Sequence, residues 1–462
     1  MKKLKCVMFV VSLFGCSLAV SAGDEFILPT HQGPARGRLT EDGGAFIPNV
    51  PYMQEPVGEL RFKAPRPPKM RDSMWDGTAK KVIPAQTASI FSGVENAQQL
   101  GQPIGKEGDA AYLNIFTPDA TANKKRPILV WYHGGSNLQG YASDPLYDAT
   151  ELAKSLDAIV VTVNYRLGIF GSFYHPALEG QNPADGSGNY VTLDGIQALK
   201  WVRENIAVIG GDINNITVAG ESAGGINVWG LLQSPLARGL FARAYVASAF
   251  PNNFPKMVAR SSFEKFINEA LVLKGQATNA DQAKQVLAKM SNKQVYEFVH
   301  SLSMEEALKA STDLLPIHHI ADGHVLPASG MAALPALTNR VPIMVTTTAQ
   351  EGNFFFAQSA SGLSEKEYWN VLTDKTEPTA FESLVKSKKY GEFRKVADDF
   401  TTTVNQLVDT TLFISGTLTT PIYRANIEIK SQQEPYRSVL GASHGMDLLA
   451  LFTPKKIGRA HV

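Results

Sequence analysis

Ser222 stands between two glycines in the run Thr217-Val218-Ala219-Gly220-Glu221-Ser222-Ala223-Gly224-Gly225. A serine hydroxyl attacks an acyl carbon only when a base takes its proton, an acid orients that base, and N–H donors receive the developing oxyanion. Gly-x-Ser-x-Gly arises by chance in a chain of 462 residues, so the partners decide its meaning. Tyr132-His133-Gly134-Gly135-Ser136 follows an apolar run and can turn its N–H groups toward the serine. The best base is His444, in the loop Gly441-Ala442-Ser443-His444-Gly445-Met446-Asp447. Glu351, in Gln350-Glu351-Gly352-Asn353-Phe354, leads as the acid, with Asp322 and Asp447 as alternatives. His31, His175, His300, His318, His319 and His324 lack a partner pattern and read as surface residues. The chemistry is acyl transfer by an activated serine.

The elements that must carry these groups are legible as apolar runs. Ile216–Ala219, with its β-branched residues, reads as a buried strand, and AGGINVWGLLQ from Ala223 as a helix. The turn between them is then a sharp strand-to-helix elbow, in which a side chain at Gly220 or Gly224 collides with a neighbouring element. Ala111–Phe116, Pro127–Tyr132, Ala158–Val163, Ala242–Ala249 and Val341–Thr347 are further strands, with helices at Ala149–Leu156 and Asp194–Ile206. Phe26–Gly77 reads as an antiparallel hairpin region. Strands alternating with helices predict an α/β fold, a mostly parallel sheet covered on both faces. Helices at Phe263–Leu273 and Ala280–Met290 form an insertion that can cap the C-terminal ends of the strands, and Phe381–Val408 is a second helical stretch.

Lys+Arg 44 against Asp+Glu 43 gives a net charge of +1, which gives no reason to expect a nucleic-acid partner. Met1-Lys2-Lys3-Leu4-Lys5, an apolar stretch from Val7 to Val20 and the small-x-small site Val20-Ser21-Ala22 predict a signal peptide over residues 1–22 and export to the periplasm or medium. Leu13-Phe14-Gly15-Cys16 offers a second route, lipidation at Cys16, with Phe14 a poor fit. Both cysteines, Cys6 and Cys16, lie in this leader, so cleavage after Ala22 leaves no disulfide and no thiol nucleophile. No second apolar 20-mer follows, hence no expected membrane span after the leader. The sequence carries no signal for oligomeric state.

Several further motifs, in order, give the chain a recognisable likeness. They are Pro51-Tyr52 with Leu60-Arg61-Phe62, Asp109-Ala110-Ala111-Tyr112-Leu113-Asn114-Ile115, Asn164-Tyr165-Arg166-Leu167-Gly168, Gly188-Asn189, Asp194 through Asn205-Ile206, Gly210-Gly211-Asp212, and Asp322-Gly323 with Leu326-Pro327. With the elbow, this set resembles the type-B carboxylesterases, the carboxylesterase/cholinesterase branch of the α/β-hydrolases, from about Gly37 to Phe452. The order serine, acid, histidine is that of the α/β-hydrolase fold. The resemblance implies Ser222 as nucleophile, Glu351 as acid and His444 as base, with Gly135, Ser136 and Ala223 as oxyanion donors. It implies supporting roles for Gly134 and for a buried Glu221, a small-molecule ester as substrate, and no metal or organic cofactor.

Three departures stand out. Ser136 replaces a glycine of the loop. Ala110 and Pro84 occupy the positions of the family's first disulfide. The family continues well past the histidine, whereas 18 residues follow His444 here. The last six, Ile457-Gly458-Arg459-Ala460-His461-Val462, translate one frame of a common sequencing adapter. The expectation is one domain over 23–456, truncated at its C-terminus, with 457–462 an artefact in which His461 has no function. Two other readings stay open: a non-catalytic adhesion or binding protein of the same fold, and a hydrolase of thioesters, amides or lipids.

Overall fold

Continuous Val/Ile/Leu runs can be satisfied only where both faces of a sheet are covered, and that is where the apolar strands lie. The computed structural model describes residues 25–452, apart from 81, 91, 95, 315, 374, 416–419 and 431–432. The leader with its two cysteines, the cleavage site and the C-terminal tail from 453 lie outside the described residues. The main sheet runs through β1 (Glu25–Thr30), β2 (Gly33–Leu39), β3 (Ala45–Pro51), β4 (Tyr112–Thr117), β5 (Arg126–Tyr132), β6 (Ile159–Val163), β7 (Gly211–Glu221), β8 (Arg243–Ala247), β9 (Ile343–Thr348) and β10 (Ile422–Ile427). Their spatial order is β1-β2-β3-β4-β6-β5-β7-β8-β9-β10, with the short strand Trp75–Asp76 beside β2. β1 to β4 pair antiparallel, as the hairpin reading of the N-terminal region expected. From β6 through β10 every pairing is parallel. The sheet is therefore mostly parallel in its C-terminal half, where the chemistry sits.

Helices cover it. α1 (Tyr190–Asn205) and α2 (Ala223–Gln233) bury almost their whole lengths. The insertion folds as α3 (Lys256–Leu273), α4 (Ala280–Leu287), α5 (Asn292–Ser301) and α6 (Met304–Ala310). Its core joins Phe263 and Phe266 to Phe173 and Phe62, segments outside the sheet, so the cap has its own aromatic nucleus. Both ends of the cap are pinned by a short parallel pair, Asn253–Pro255 with His319–Ala321. α7 (Glu351–Ser361) follows β9 and packs on α8 (Lys389–Ser415).

Two expectations are corrected here. Phe381–Val408 is not one helical stretch but two helices, Thr379–Lys386 and α8, because the backbone extends at Ser387. Strand β10 was missed: Arg424 and Asn426 interrupt its apolar pattern, which an edge strand tolerates, and among the described residues no strand pairs with its outer side. Where the resemblance placed Pro84 and Ala110 at disulfide positions, hydrogen bonds between their neighbours join the two segments. Ala85 N donates to Lys106 O at 3.0 Å, Lys106 N to Ile83 O at 2.9 Å, and Ile83 N to Asp109 Oδ2 at 3.0 Å.

One buried ion pair ties the loop after β6 to α1. Arg166 donates from Nε to Asp194 Oδ2 at 2.9 Å and from a terminal nitrogen to Oδ1 at 2.6 Å, with both side chains at most 2% exposed. Removing one member of such a pair strands the other charge. Asp194→Asn is expected to destabilise the fold by about 3–5 kcal/mol, read as a lower urea midpoint at unchanged slope.

Candidate active site

The parallel strands deliver each motif to their C-terminal ends, where open α/β sheets place their ligands. β7 ends at Glu221, and Ser222 makes the turn into α2 at φ 55°, ψ −125°. That conformation is sparsely populated for a residue with a side chain and costs roughly 1–3 kcal/mol, held here by its surroundings. Ser222 N donates to Ala247 O at 2.9 Å. A Cβ at Gly224 would enter the Tyr132 carbonyl, and one at Gly220 would enter the Gly224 backbone. The glycines of the elbow are there for want of space, as expected.

The acid opens α7 just past β9. Glu351 Oε2 accepts from His444 Nδ1 at 2.6 Å, while Oε1 accepts from Ser248 Oγ at 2.6 Å and Thr348 N at 2.7 Å. Burial works to raise this carboxyl, but His444 and these donors outweigh it and hold it below its ordinary value. Gln350, one residue earlier, pins the histidine loop: its N donates to Ala442 O at 2.9 Å, and its Oε1 accepts from Ala442 N at 2.9 Å. Of the three carboxylates weighed as the acid, Glu351 makes the bond. Asp322 instead accepts from the backbone N–H groups of Val325 and Leu326 and from Asn189. Asp447 is buried near His444, with Oδ1 unpartnered among the described residues.

With Nδ1 committed to Glu351, Nε2 of His444 is the free nitrogen. It lies 3.1 Å from Glu221 Oε1, an ion-pair distance without hydrogen-bond alignment. Among the described residues no hydrogen bond joins His444 to Ser222; the structure brings Glu351 and His444 into contact, with Glu221, the residue before Ser222, against the other ring nitrogen. Burial raises the Glu221 carboxyl. Burial alone would lower the His444 imidazole, but Glu221, then Glu351, overcome it and raise it above its ordinary value. A base must be neutral, so hydrolysis that depends on His444 rises with pH through this elevated value. Glu221→Gln removes the larger of the two charges. The acid limb of kcat/KM is then expected to move to lower pH by about one unit or more, as a pH–rate profile checks directly.

The loop after β5 turns through three left-handed residues, Gly135 (φ 100°), Ser136 (φ 57°) and Asn137 (φ 55°). The Gly135 carbonyl accepts from Leu138 N and Gln139 N, folding the loop back on itself. Among the described residues the N–H groups of Gly135, Ser136 and Ala223 have no acceptor. Gly134 must be small because a Cβ there would lie 2.7 Å from Glu221 Oε2 and 3.2 Å from Ser222 Cβ. His133 is fully buried, donates from Nδ1 to Gly134 O at 2.8 Å and stacks on Tyr165. Burial pushes its imidazole down to about 4, so it is a neutral wall of the loop.

The surface reading of the remaining histidines holds for His31 and His324 and fails elsewhere. His175, His318 and His319 are buried and His300 half-buried. His175 Nδ1 accepts from Ala177 N at 3.1 Å, capping a turn, and His318 meets Asn137. Polar side chains that face local backbone or another loop leave no periodic trace in a sequence. Ser248 and Gln350, which orient the acid and the histidine loop, were missed for the same reason. Among the described residues no group of three or more His, Cys, Asp or Glu could hold a metal ion, and no helix is long and apolar enough to cross a membrane.

Comparisons with known proteins bear on the family and the fold. The model of the carboxylesterase family matches residues 24–460. A para-nitrobenzyl esterase of Bacillus subtilis (strain 168) is 35% identical over 351 residues, covering 74% of this chain and 66% of that protein. A fumonisin B1 esterase of Sphingopyxis macrogoltabida is 35% identical over 240 residues, 52% of this chain and 43% of that one. The chain thus spans 66% or less of the length of these curated relatives. Among solved structures, a PNB esterase superposes with a TM-score of 0.70 at 27% identity, covering 95% of this chain and 87% of the other. A Geobacillus stearothermophilus carboxylesterase gives 0.68 at 29%, covering 92% and 83%.

Proposed function

Since the chain belongs to the carboxylesterase family, we propose that it is a serine carboxylic ester hydrolase working through Ser222, His444 and Glu351. The observation that carries this reading is the 2.6 Å bond from His444 Nδ1 to a buried Glu351, with His444 also against Glu221, the neighbour in sequence of a serine at a strained elbow. Glu351 fixes the proton on Nδ1, so that Nε2 has the lone pair a base requires. In the reaction Nε2 takes the Ser222 proton and Oγ attacks the ester carbonyl. The negative charge falls on the carbonyl oxygen, facing the N–H groups of Gly135, Ser136 and Ala223. The tetrahedral species collapses to an acyl-serine as the imidazolium returns its proton to the departing alcohol. Water, deprotonated by the same nitrogen, then releases the acid. Glu221, 3.1 Å from Nε2, favours the imidazolium that both halves pass through.

The substrate is a small-molecule ester, and every step is carried by side chains and backbone of this chain without a cofactor. The leader at 1–22 favours export of a single domain over 23–456. Rapid mixing with excess p-nitrophenyl acetate tests the mechanism. A burst of p-nitrophenol close to one equivalent per chain, followed by a slower steady rate, is expected if deacylation is the slower half. Absence of any ester hydrolysis above buffer by the folded chain would sink the proposal.

A further inference from the structure

We propose that Asn137, Asn227 and His318 form a clamp that positions the oxyanion loop against the nucleophile's helix, an inference that rests on the hydrolase reading above. Asn137 Nδ2 donates to Asn227 Oδ1 at 2.9 Å, and Asn227 Nδ2 donates back to Asn137 Oδ1 at 2.9 Å. Asn137 Nδ2 also lies 3.2 Å from His318 Nδ1. All three side chains are buried, so no water competes for these bonds. Burial pushes the His318 imidazole down to about 4, which keeps it neutral and leaves Nδ1 able to accept.

Each member comes from a different part of the fold. Asn137 follows directly on Gly135 and Ser136. Asn227 lies on α2, four residues beyond Ala223. The reciprocal amide pair therefore joins the segment carrying two of the proposed donors to the helix carrying the third. His318 stands at the base of the cap, next to the strand His319–Ala321. That base is itself fixed by Asn189, which donates to Ile320 O and accepts from Ile320 N, both at 2.8 Å. A loop with two consecutive left-handed residues that carry side chains does not hold its shape by local preference. Besides the amide pair, Asn137 contributes its carbonyl, which accepts from Gly168 N at 2.6 Å. Donors that act on a transition state must be held before the charge appears, so the clamp acts on rate rather than on substrate binding.

Asn137→Gly tests it, because glycine adopts the same left-handed backbone and only the amide is lost. The expected result is a kcat on p-nitrophenyl acetate about 10²-fold lower, with KM changed less than about threefold. The inhibition constant of a trifluoromethyl ketone, whose hemiketal oxygen occupies the oxyanion position, rises by the factor by which kcat/KM falls. His318→Asn, which can offer an acceptor oxygen near the place of Nδ1, retains most of the rate that His318→Leu loses. This pair decides the matter if Asn137→Gly does not fold. A folded Asn137→Gly with kcat within about threefold of wild type would overturn the clamp, as would equal losses in the two His318 variants. An inactive wild-type chain would overturn the hydrolase reading and the clamp's role with it, whereas an active wild type beside unaffected variants overturns the clamp alone.

Discussion

Ser222→Ala is expected to lower kcat on a short-chain p-nitrophenyl ester by about 10⁴–10⁶-fold while the fold stays intact. The size follows from what is lost. Without Oγ no acyl-enzyme can form, and the remaining donors and binding contacts accelerate only direct attack by water, about 10³–10⁴-fold over solution in a well-studied serine hydrolase. Alanine at the elbow keeps the left-handed strain and the Ser222 N–H to Ala247 O bond, so the melting temperature should hardly change. The measurement is steady-state hydrolysis beside circular dichroism. An unchanged rate would place the hydrolysis somewhere other than this elbow.

Glu351→Gln follows, at about 10⁴-fold in kcat with KM little changed. The amide keeps the shape of the acid, and its oxygen can still accept from Ser248 Oγ and Thr348 N. The group facing His444 Nδ1 is then an NH₂, a donor aimed at a donor. The imidazole avoids the clash by moving its proton to Nε2, and the nitrogen that should take the serine proton is no longer a base. Raising the pH does not restore the rate, because the fault is in the tautomer rather than in the charge. A pH–rate profile of this variant distinguishes it from Glu221→Gln, whose acid limb moves and whose plateau falls far less.

How much of this was legible depended on which physical signal each residue leaves. Buried parallel strands announce themselves because both faces must be apolar, and β5, β6 and β9 lie within two residues of their expected limits. The elbow was legible because crowding admits only glycine at Gly220 and Gly224. Glu351 stood out by its place after a strand, though Asp322 and Asp447 competed until the hydrogen bond to His444 was seen. What the sequence concealed was polar and long-range. Ser248, Gln350, Asn227 and His318 act through one or two bonds to residues 85 or more positions away. No periodicity or local spacing encodes such a pair, and β10 was hidden by the tolerance of a sheet edge for Arg424 and Asn426. The placement of Nε2 nearer to Glu221 than to a bond with Ser222 is likewise a matter of side-chain packing.

The central claim, that Ser222 is the nucleophile activated by His444 and Glu351, is tested most directly by mapping a covalent adduct. The purified protein is treated with a fluorophosphonate, digested, and the modified peptide is sequenced by mass spectrometry. The account predicts one adduct per chain, on Ser222, with loss of esterase activity in step with labelling and much slower labelling in Glu351→Gln. An adduct on another residue in step with the loss of activity, or full activity with Ser222 labelled, would contradict it.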